Sequence, residues 1–294
     1  ASIEGVDVVE LNRRTIREMV ETPGMQFPAD VQDGGILTGG DDREALAVRR
    51  PLGVVVTGDL VDHGSDNAHC RKEFNDWVGV YGLYGERDLP WPVYEGFGNH
   101  DGGNSTESTE ECNNVRLQLR FRLMDRLRSN KLSGLSSNGL HYSWDWGPLH
   151  LIHLNLYVGS EHEPAAPWLI GSFQYPEFSL EFLREDLAEN VGDSGRPVIL
   201  FQHYGFDSYW SDQWYTAHER ELLAEALNGF NVAAMFVGHT HVAQMYRWRG
   251  HDVFNSPTAA RAHEAGALAS QFFVAQLQPD VDDRRHGTLR VALR

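Results

Sequence analysis

The chain has 294 residues, of which 41% are hydrophobic, and its formal net charge is -17. No apolar run approaches the ~20 residues of a membrane-spanning helix, so the composition predicts a globular chain without a transmembrane segment. The excess of acidic residues argues against a nucleic acid as habitual partner, because basic patches hold such polymers. A small phosphorylated substrate is compatible with this charge, since metal ions can supply the positive charge.

The first predicted element is a helix over residues 6–20, where apolar side chains recur with helical spacing. No strand is predicted before this helix, and the chain shows no signal-peptide core. A loop rich in Gly and Asp is predicted for residues 28–42. The helix therefore opens the predicted architecture.

From residue 52 onward, predicted strands and helices alternate as in βαβ units. Short apolar runs predict buried parallel strands at 52–57, 197–201 and 232–237. Thr216 and Glu219 have the spacing of a capping box. Other predicted strands cover 93–97, 142–146, 150–156, 271–277 and 288–293, and predicted helices cover 67–83, 110–128, 176–190 and 216–228. Because there is no repeat, low-complexity segment or linker, the sequence predicts one domain over residues 1–294.

Four polar clusters stand at the ends of predicted strands. They are Gly58-Asp59-Leu60-Val61-Asp62-His63-Gly64, Gly98-Asn99-His100-Asp101, Gln202-His203-Tyr204 and Gly238-His239-Thr240-His241. Ligand sites in open α/β sheets form at the carboxyl ends of strands, so we expect the clusters to converge. Their donor groups are carboxylate, amide and imidazole, with no thiolate. This set suits a site for manganese, iron or zinc better than it suits a structural zinc site, which is built on Cys.

Each cluster also has an ordinary structural interpretation when it is taken alone. A Gly-Asp pair after a strand is a common turn, and Gly-Asn-His-Asp fits an Asx turn followed by a helix cap. Pairs of the type His-x-His occur on surfaces as well. Four such clusters at strand ends in one chain make coincidence the weaker interpretation.

Together, the four clusters resemble the calcineurin-like metallophosphoesterase superfamily. Its pattern runs Asp-x-His, Gly-Asp, Gly-Asn-His followed by Asp or Glu, a single His, and Gly-His-x-His; the resemblance covers about residues 53–257. It implies an α/β fold, a four-layer α/β/β/α sandwich of two mixed sheets with the metal site at strand carboxyl ends. It also implies two divalent or trivalent metal ions, with Asp59 bridging both, Asn99, His203 and His239 completing one position, and His241 in the other.

The resemblance implies a phosphoester hydrolase, either a phosphatase or a phosphodiesterase, that acts on a small phosphorylated substrate. The expected nucleophile is a hydroxide that bridges the two metal ions. His100 is the expected general acid, and Asp101 is expected to orient its ring.

The opening Asp-x-His of the family pattern is absent from this chain, and neither Asp62 nor His63 is an obvious replacement. We therefore expect a domain that lacks its first strand, which upstream residues would supply. The alternative is a chain in which the first metal position is weak or empty. Such a chain would be a degenerate binding or scaffold member of the fold, with one metal and no turnover.

Aromatic residues crowd the segment after His203 and are candidates for substrate binding. The candidate contacts are Tyr204, Phe206, Tyr209 and Trp210, with Arg261 as a candidate phosphate contact. Core packing of the aromatics and surface exposure of the arginine are the competing interpretations.

Cys70 and Cys112 either form one disulfide or are two separate thiols. The sequence favours an exported protein over a cytoplasmic one, since disulfides persist in oxidising compartments. It leaves open the substrate, the choice between monoester and diester, and the oligomeric state.

Overall fold

The computed structural model describes residues 2–3, 6–27, 36–37, 47–62, 67–101, 113–160, 176–206, 215–259, 271–279 and 287–294. The helices in these ranges are α1 (Val8–Glu21), α2 (Asn67–Val80), α3 (Asn113–Arg128), α4 (Ser179–Asp186) and α5 (Ala217–Leu227). A π-helical turn at Leu187–Val191 and a 3-10 turn at Gly192–Ser194 follow α4. None of the helices described is long and apolar enough to cross a membrane.

The strands are short, and several are only two or three residues long. In chain order they are β1 (Ser2–Ile3), β2 (Val6–Asp7), β3 (Ile36–Leu37), β4 (Val54–Val56), β5 (Val93–Glu95), β6 (Gly134–Leu135), β7 (Tyr142–Trp146), β8 (Leu149–His153), β9 (Val198–Phe201), β10 (Val232–Val237), β11 (Gln244–Trp248), β12 (His251–Asn255), β13 (Phe273–Pro279) and β14 (Gly287–Leu293).

Seven of these strands form one mixed sheet in the order β11-β12-β10-β9-β8-β7-β6. Its centre is parallel, because β8, β9, β10 and β12 run in one direction, while β11, β7 and β6 pair antiparallel at the two ends. β4 and β5 form a separate parallel pair, and β13, β14 and β3 form a small antiparallel sheet. The antiparallel pair of β1 and β2 precedes α1.

Side chains that alternate along the central strands separate two cores. Phe201 of β9 belongs to the core that contains Tyr94 of β5 and Val291 of β14, so the large sheet faces the smaller sheets on this side. The neighbouring Leu200 belongs to the core that contains Leu183 of α4 and other helix residues. The α/β class with a large mixed sheet, as predicted, is confirmed.

Predicted and observed elements agree closely along most of the chain. The capping box is present, because the Thr216 hydroxyl accepts from the Glu219 amide and the Glu219 carboxylate accepts from the Thr216 amide. The prediction that no strand precedes α1 was wrong, since β1 and β2 precede it. The observed helix is shorter than the one predicted over 176–190. Regular α4 spans Ser179–Asp186, and a π-helical turn continues it.

Cys70 of α2 is fully buried and disulfide-bonded. The other cysteine of the sequence, Cys112, lies outside the described residues. A free thiol at Cys70 is therefore excluded.

Candidate metal centre

The four polar clusters lie at the carboxyl ends of two pairs of neighbouring parallel strands. Asp59 follows β4, and Asn99 follows its partner β5. His203 follows β9, and His239 follows the adjacent β10. Parallel neighbours end at the same edge of a sheet, so the topology brings the clusters together from distant parts of the chain.

Two imidazoles meet at the amide oxygen of Asn99, and the Asp59 carboxylate lies near one of them. Oδ1 of Asn99 lies 2.8 Å from Nε2 of His203 and 3.0 Å from Nδ1 of His239. The same Nε2 of His203 lies 3.4 Å from Oδ2 of Asp59. Asn99 is 7% exposed and His203 only 2%, so these donor atoms meet in a largely desolvated place.

The tautomer of His203 follows from its second hydrogen bond. Its Nδ1 lies 2.9 Å from the carbonyl oxygen of Thr57, and a carbonyl can only accept, so Nδ1 carries the hydrogen. Burial lowers the pKa of His203, although the charge of Asp59 opposes this effect, so the ring is neutral near pH 7. The Nε2 atom of the neutral ring therefore offers a lone pair. An imidazole fixed by a backbone carbonyl is the usual state of a metal-binding histidine.

His239 and Asp59 are also in the protonation states that a cation requires. Burial, followed by the neighbouring imidazole of His203, lowers the pKa of His239 to about 3. Burial alone would raise the pKa of Asp59, but electrostatic interactions with the His203 and His100 rings and a hydrogen bond from the His100 amide lower it overall. The site thus presents neutral imidazoles and an ionised carboxylate.

These lone pairs provide a test of whether a metal ion fits. Nε2 of His203, Oδ1 of Asn99 and Oδ2 of Asp59 face one another without a hydrogen between them, which is unfavourable unless a cation joins them. Ligand atoms that lie 2.0–2.2 Å from one ion are separated by roughly 3 Å, and the observed separations of 2.8 and 3.4 Å lie around this value. Within the described ranges, no group of three His, Cys, Asp or Glu side chains forms a metal site by itself, so the fit depends on Asn99.

The ligand-bearing turns have uncommon backbone conformations. Asp59, His239 and His241 have φ angles of 55°, 73° and 59°, in the left-handed region that non-glycine residues seldom adopt. Such conformations cost about 1–3 kcal/mol each and persist where the surrounding structure imposes them. Their concentration at three predicted ligands supports a functional origin for the strain.

Gly98 is required by the close approach of the first two clusters. A Cβ atom at this position would clash with Oδ1 of Asp59 and lie 2.6 Å from Cε1 of His203. The β5 loop thus passes directly behind two predicted ligands.

His241 lies at the rim of the site and is partly exposed. It is near enough to His239 to contribute to the lowered pKa of that ring, after the larger effects of burial and His203. His241 therefore stays a predicted ligand of the first metal position, the one for which the family pattern has Asp-x-His.

His100 and Asp101 are held differently from what the sequence suggested. Nδ1 of His100 lies 2.8 Å from the carbonyl oxygen of Asp62, and its side chain is 39% exposed. Asp101 is fully buried and accepts from the amides of Gly98, at 2.7 Å, and Val61, at 2.9 Å. Asp101 therefore ties the first two ligand loops together, and Asp62 orients the His100 ring in place of Asp101.

The two aromatic candidates that the structure describes occupy different environments. Tyr204 is 1% exposed and packs edge-on against His239, with ring centroids 4.7 Å apart, so it supports a predicted ligand and does not face substrate. Phe206 is partly buried and stacks on Trp248 of β11 at 4.1 Å. Tyr209, Trp210 and Arg261 lie outside the described residues.

Sequence reasoning missed the positioning groups of the site. Thr57 and Asp62 act through backbone carbonyls, which any residue type provides, so no side-chain pattern could reveal them. Trp248 belongs to β11, an edge strand whose mixed polar and apolar residues show no clear alternation. The predicted ligands were easier to recognise, because their side chains carry the chemistry.

Solved structures show which fold the chain resembles. A dimetal phosphatase from Danio rerio is 12% identical, with a TM-score of 0.51 over 87% of this chain and 79% of that one. The Plasmodium protein GAP50, described as the anchor in the inner membrane complex, is 13% identical, with a TM-score of 0.43 over 90% and 73% of the two chains. A putative 5'-nucleotidase from Staphylococcus aureus is 12% identical, with a TM-score of 0.33 over 82% and 52%. At these identities, the first likeness supports the fold alone and the other two support no conclusion.

Sequence comparison identifies the family. No curated protein matches the chain. The model of the calcineurin-like phosphoesterase family matches residues 42–243, which include all four polar clusters. The chain belongs to the calcineurin-like phosphoesterase family.

Proposed function

We propose that this chain is a metal-dependent hydrolase of small phosphate monoesters or diesters. The observation that carries the proposal is the convergence of unprotonated donor atoms from Asp59, Asn99 and His203, with His239 beside them. Family membership supports phosphoester chemistry at this site. The Danio rerio protein of similar fold is described as a dimetal phosphatase, which agrees with the proposal.

The residues present would hold one metal position with Asp59, Asn99, His203 and His239, and a second with Asp59 and His241. Manganese, iron or zinc suits these nitrogen and oxygen donors. When bound, such ions would supply Lewis-acid activation of the phosphoester and of water. The protein's own contribution is to hold the imidazoles in the correct tautomer and to keep the donor atoms desolvated.

His100 is the proposed general acid. Its Nδ1 faces the Asp62 carbonyl, so Nδ1 carries a hydrogen and Nε2 is the atom free to exchange a proton with the substrate. The partly exposed side chain permits this exchange. A positioned general acid contributes roughly 10²–10⁴-fold to the rate.

A degenerate scaffold is the second candidate function. The observation in its favour is that residues 1–294 contain no Asp-x-His motif, which leaves the position around Asp59 and His241 with few ligands from this chain. Such a protein would bind one metal ion and hydrolyse nothing.

Hydrolysis of p-nitrophenyl phosphate and bis(p-nitrophenyl) phosphate, measured with and without added Mn²⁺, separates the two functions. We expect Mn²⁺-dependent release of p-nitrophenol from at least one ester, and its loss in His239→Ala. Retained Mn²⁺ without hydrolysis of either ester would favour the scaffold. The ratio of the two rates assigns the preference for monoester or diester.

The compartment is also a proposal. The disulfide at Cys70 supports an exported protein, since cytosolic reductants keep most thiols reduced.

A further inference from the structure

The turn after β8 places a buried side-chain amide between the loops that carry Asn99 and His203. Asn155 lies two residues beyond the end of β8 and is only 2% exposed. Because β8 is the parallel neighbour of β9, this turn reaches the same edge of the large sheet as His203. Asn155 thus stands beside the candidate metal centre without being one of its predicted ligands.

Asn155 is hydrogen-bonded to both ligand loops. Its Oδ1 accepts from the amide of Phe97 at 3.1 Å, two residues before Asn99. Its backbone carbonyl accepts from the amide of His203 at 2.6 Å, and that amide also lies 3.2 Å from the carbonyl of Leu156. One residue therefore holds the backbone of both loops, whose side-chain atoms Oδ1 of Asn99 and Nε2 of His203 lie 2.8 Å apart.

The partners of the Asn155 amide fix its orientation. Its Nδ2 donates to the carbonyl of Leu140 at 2.8 Å and lies 3.2 Å from Nδ1 of His141. Nε2 of His141 faces the carbonyl of Glu177 and carries the hydrogen, so Nδ1 is an acceptor. Burial lowers the pKa of His141 to about 4, which keeps the ring neutral near pH 7. A reversed amide would set Oδ1 of Asn155 against the Leu140 carbonyl.

The backbone conformation restricts which residue can occupy this position. Asn155 has a φ angle of 57°, in the left-handed region that Asn and Asp adopt more readily than other non-glycine residues. Glycine would tolerate this φ but has no acceptor for Phe97. An ionised Asp could accept from Phe97 but could not donate to Leu140. Asn meets the conformational and the hydrogen-bonding requirements together.

His153 fastens the same turn to β4. Its Nδ1 accepts from the amide of Asn155 at 3.2 Å, and its Nε2 donates to the carbonyl of Val56 at 3.0 Å. A Cβ atom at Gly96 would overlap the His153 ring, so the chain that leaves β5 passes directly against it. The turn after β8 is therefore held against β4 as well as against the loops that follow β5 and β9.

We propose that Asn155 is a positioning residue that sets the separation between the donor atoms of Asn99 and His203. It acts through the backbone amides of Phe97 and His203 and is not itself a ligand, because its own amide is engaged by other groups. The proposal rests on the proposed function in so far as these donor atoms bind a metal ion. Groups that orient metal ligands typically contribute about 10–100-fold to metal affinity.

Two substitutions separate the link between the loops from general stability. Asn155→Gly permits the left-handed φ and retains the backbone carbonyl, but it removes the acceptor for Phe97. Asn155→Asp retains that acceptor and replaces Nδ2 with a buried carboxyl oxygen that faces the carbonyl of Leu140. The first variant therefore loses the link, whereas the second keeps the link and loses stability.

The controls lie outside the ligand loops. Asn130→Gly makes the same change at an exposed position with a φ angle of 52°. Ser143→Ala removes a buried hydrogen bond to Asp186. For each protein, isothermal titration measures Mn²⁺ affinity, the visible spectrum of the Co²⁺-loaded form reports ligand geometry, and urea denaturation gives the unfolding midpoint.

A further measurement depends on neither metal nor activity. The NMR signals of the His203 ring and of the Asn99 side-chain amide are recorded in EDTA for the wild type and the variants. We expect Asn155→Gly to shift both signals, to change the Co²⁺ spectrum and to weaken Mn²⁺ binding about 10–100-fold. Asn155→Asp should lower the urea midpoint at least as much, yet stay closer to the wild type in affinity and spectrum. The two controls should bind Mn²⁺ as the wild type does.

Unshifted signals of Asn99 and His203 in metal-free Asn155→Gly would overturn the proposal. It would also be overturned if Mn²⁺ affinity followed the urea midpoint across all four variants, since Asn155 would then act only through stability. If Asn155→Gly does not fold, a folded Asn155→Asp that loses Mn²⁺ affinity overturns it. A wild type that binds neither ion, with signals that still respond to Asn155→Gly, would refute the proposed function and support the positioning role.

Discussion

At the scale of single residues, the candidate centre is built by backbone constraint as much as by ligand chemistry. Asp59, His239 and His241 adopt left-handed conformations, and Gly98 passes behind two predicted ligands where no side chain fits. The ligands were predictable because Asp, Asn and His carry visible chemistry. The carbonyls of Thr57 and Asp62, which fix two imidazole tautomers, were not predictable, because a backbone group leaves no mark on the sequence.

Replacing Gly98 with Ala tests the close packing behind the site. The added Cβ would clash with Asp59 and approach His203, so we expect Mn²⁺ affinity to fall at least tenfold and the free energy of unfolding to fall by about 1–3 kcal/mol. Isothermal titration with Mn²⁺ and urea denaturation measure the two effects. The matched control is Gly79→Ala on α2, where a Cβ meets nothing within 4 Å and helix propensity predicts a gain of up to about 1 kcal/mol. Equal behaviour of the two variants would contradict the account.

His100 and Asp101 should separate into a catalytic and a positioning residue. For His100→Ala we expect kcat to fall about 10²–10⁴-fold with little change in metal content. For Asp101→Ala we expect lower stability and weaker metal binding, because buried amides of Gly98 and Val61 lose their acceptor. Steady-state kinetics, elemental analysis and urea denaturation distinguish them. Loss of metal from His100→Ala would instead make His100 a ligand.

At the scale of secondary-structure elements, a buried charge cluster joins the β7–β8 hairpin to α4. His150 is fully buried, with Nδ1 2.8 Å from Asp145 and Nε2 2.7 Å from Asp186. Burial alone would lower the pKa of His150, but its hydrogen bond to Asp186, followed by that to Asp145, raises it overall. The protonated ring thus links a strand to a helix on one side of the large sheet.

The pH dependence of stability tests this link. A raised pKa in the folded state means that the stabilisation by His150 is fully present below about pH 6.5, the unfolded value, and is lost as pH rises through the folded pKa. We expect His150→Gln to cost more unfolding free energy at pH 6 than at pH 9, as measured by urea denaturation. His218→Gln, at an exposed position on α5, is the control. A cost that is equal at both pH values would refute the charged link.

The order of elements was largely predictable from apolar periodicity, since β9 and β10 are β-branched or apolar throughout and α5 has a capping box. β11 was missed because an edge strand with one exposed face has a mixed composition. The end of α4 was misplaced because its apolar pattern continues into a π-helical turn, which changes the hydrogen bonding and not the composition. Local patterns therefore identified elements better than their boundaries or irregularities.

At the scale of the whole molecule, the large sheet faces the smaller sheets, and four distant loops meet where β4, β5, β9 and β10 end. The sequence predicted this convergence, because the clusters follow parallel strands. The sequence also indicated a missing first strand from the absent Asp-x-His, and this stays a prediction. With a net charge of -17, the molecule would need bound cations to attract the phosphorylated substrate that we propose.

The most direct test of the central claim is the Mn²⁺ content of the purified chain after loading and dialysis, measured by elemental analysis. We predict at least one Mn²⁺ per chain in the wild type, and loss of that ion in Asn99→Ala and His203→Ala. Tyr84→Phe, at an exposed position away from the centre, should retain it. A wild-type chain without bound Mn²⁺, or the same content in all four proteins, would contradict a metal centre built on Asn99 and His203.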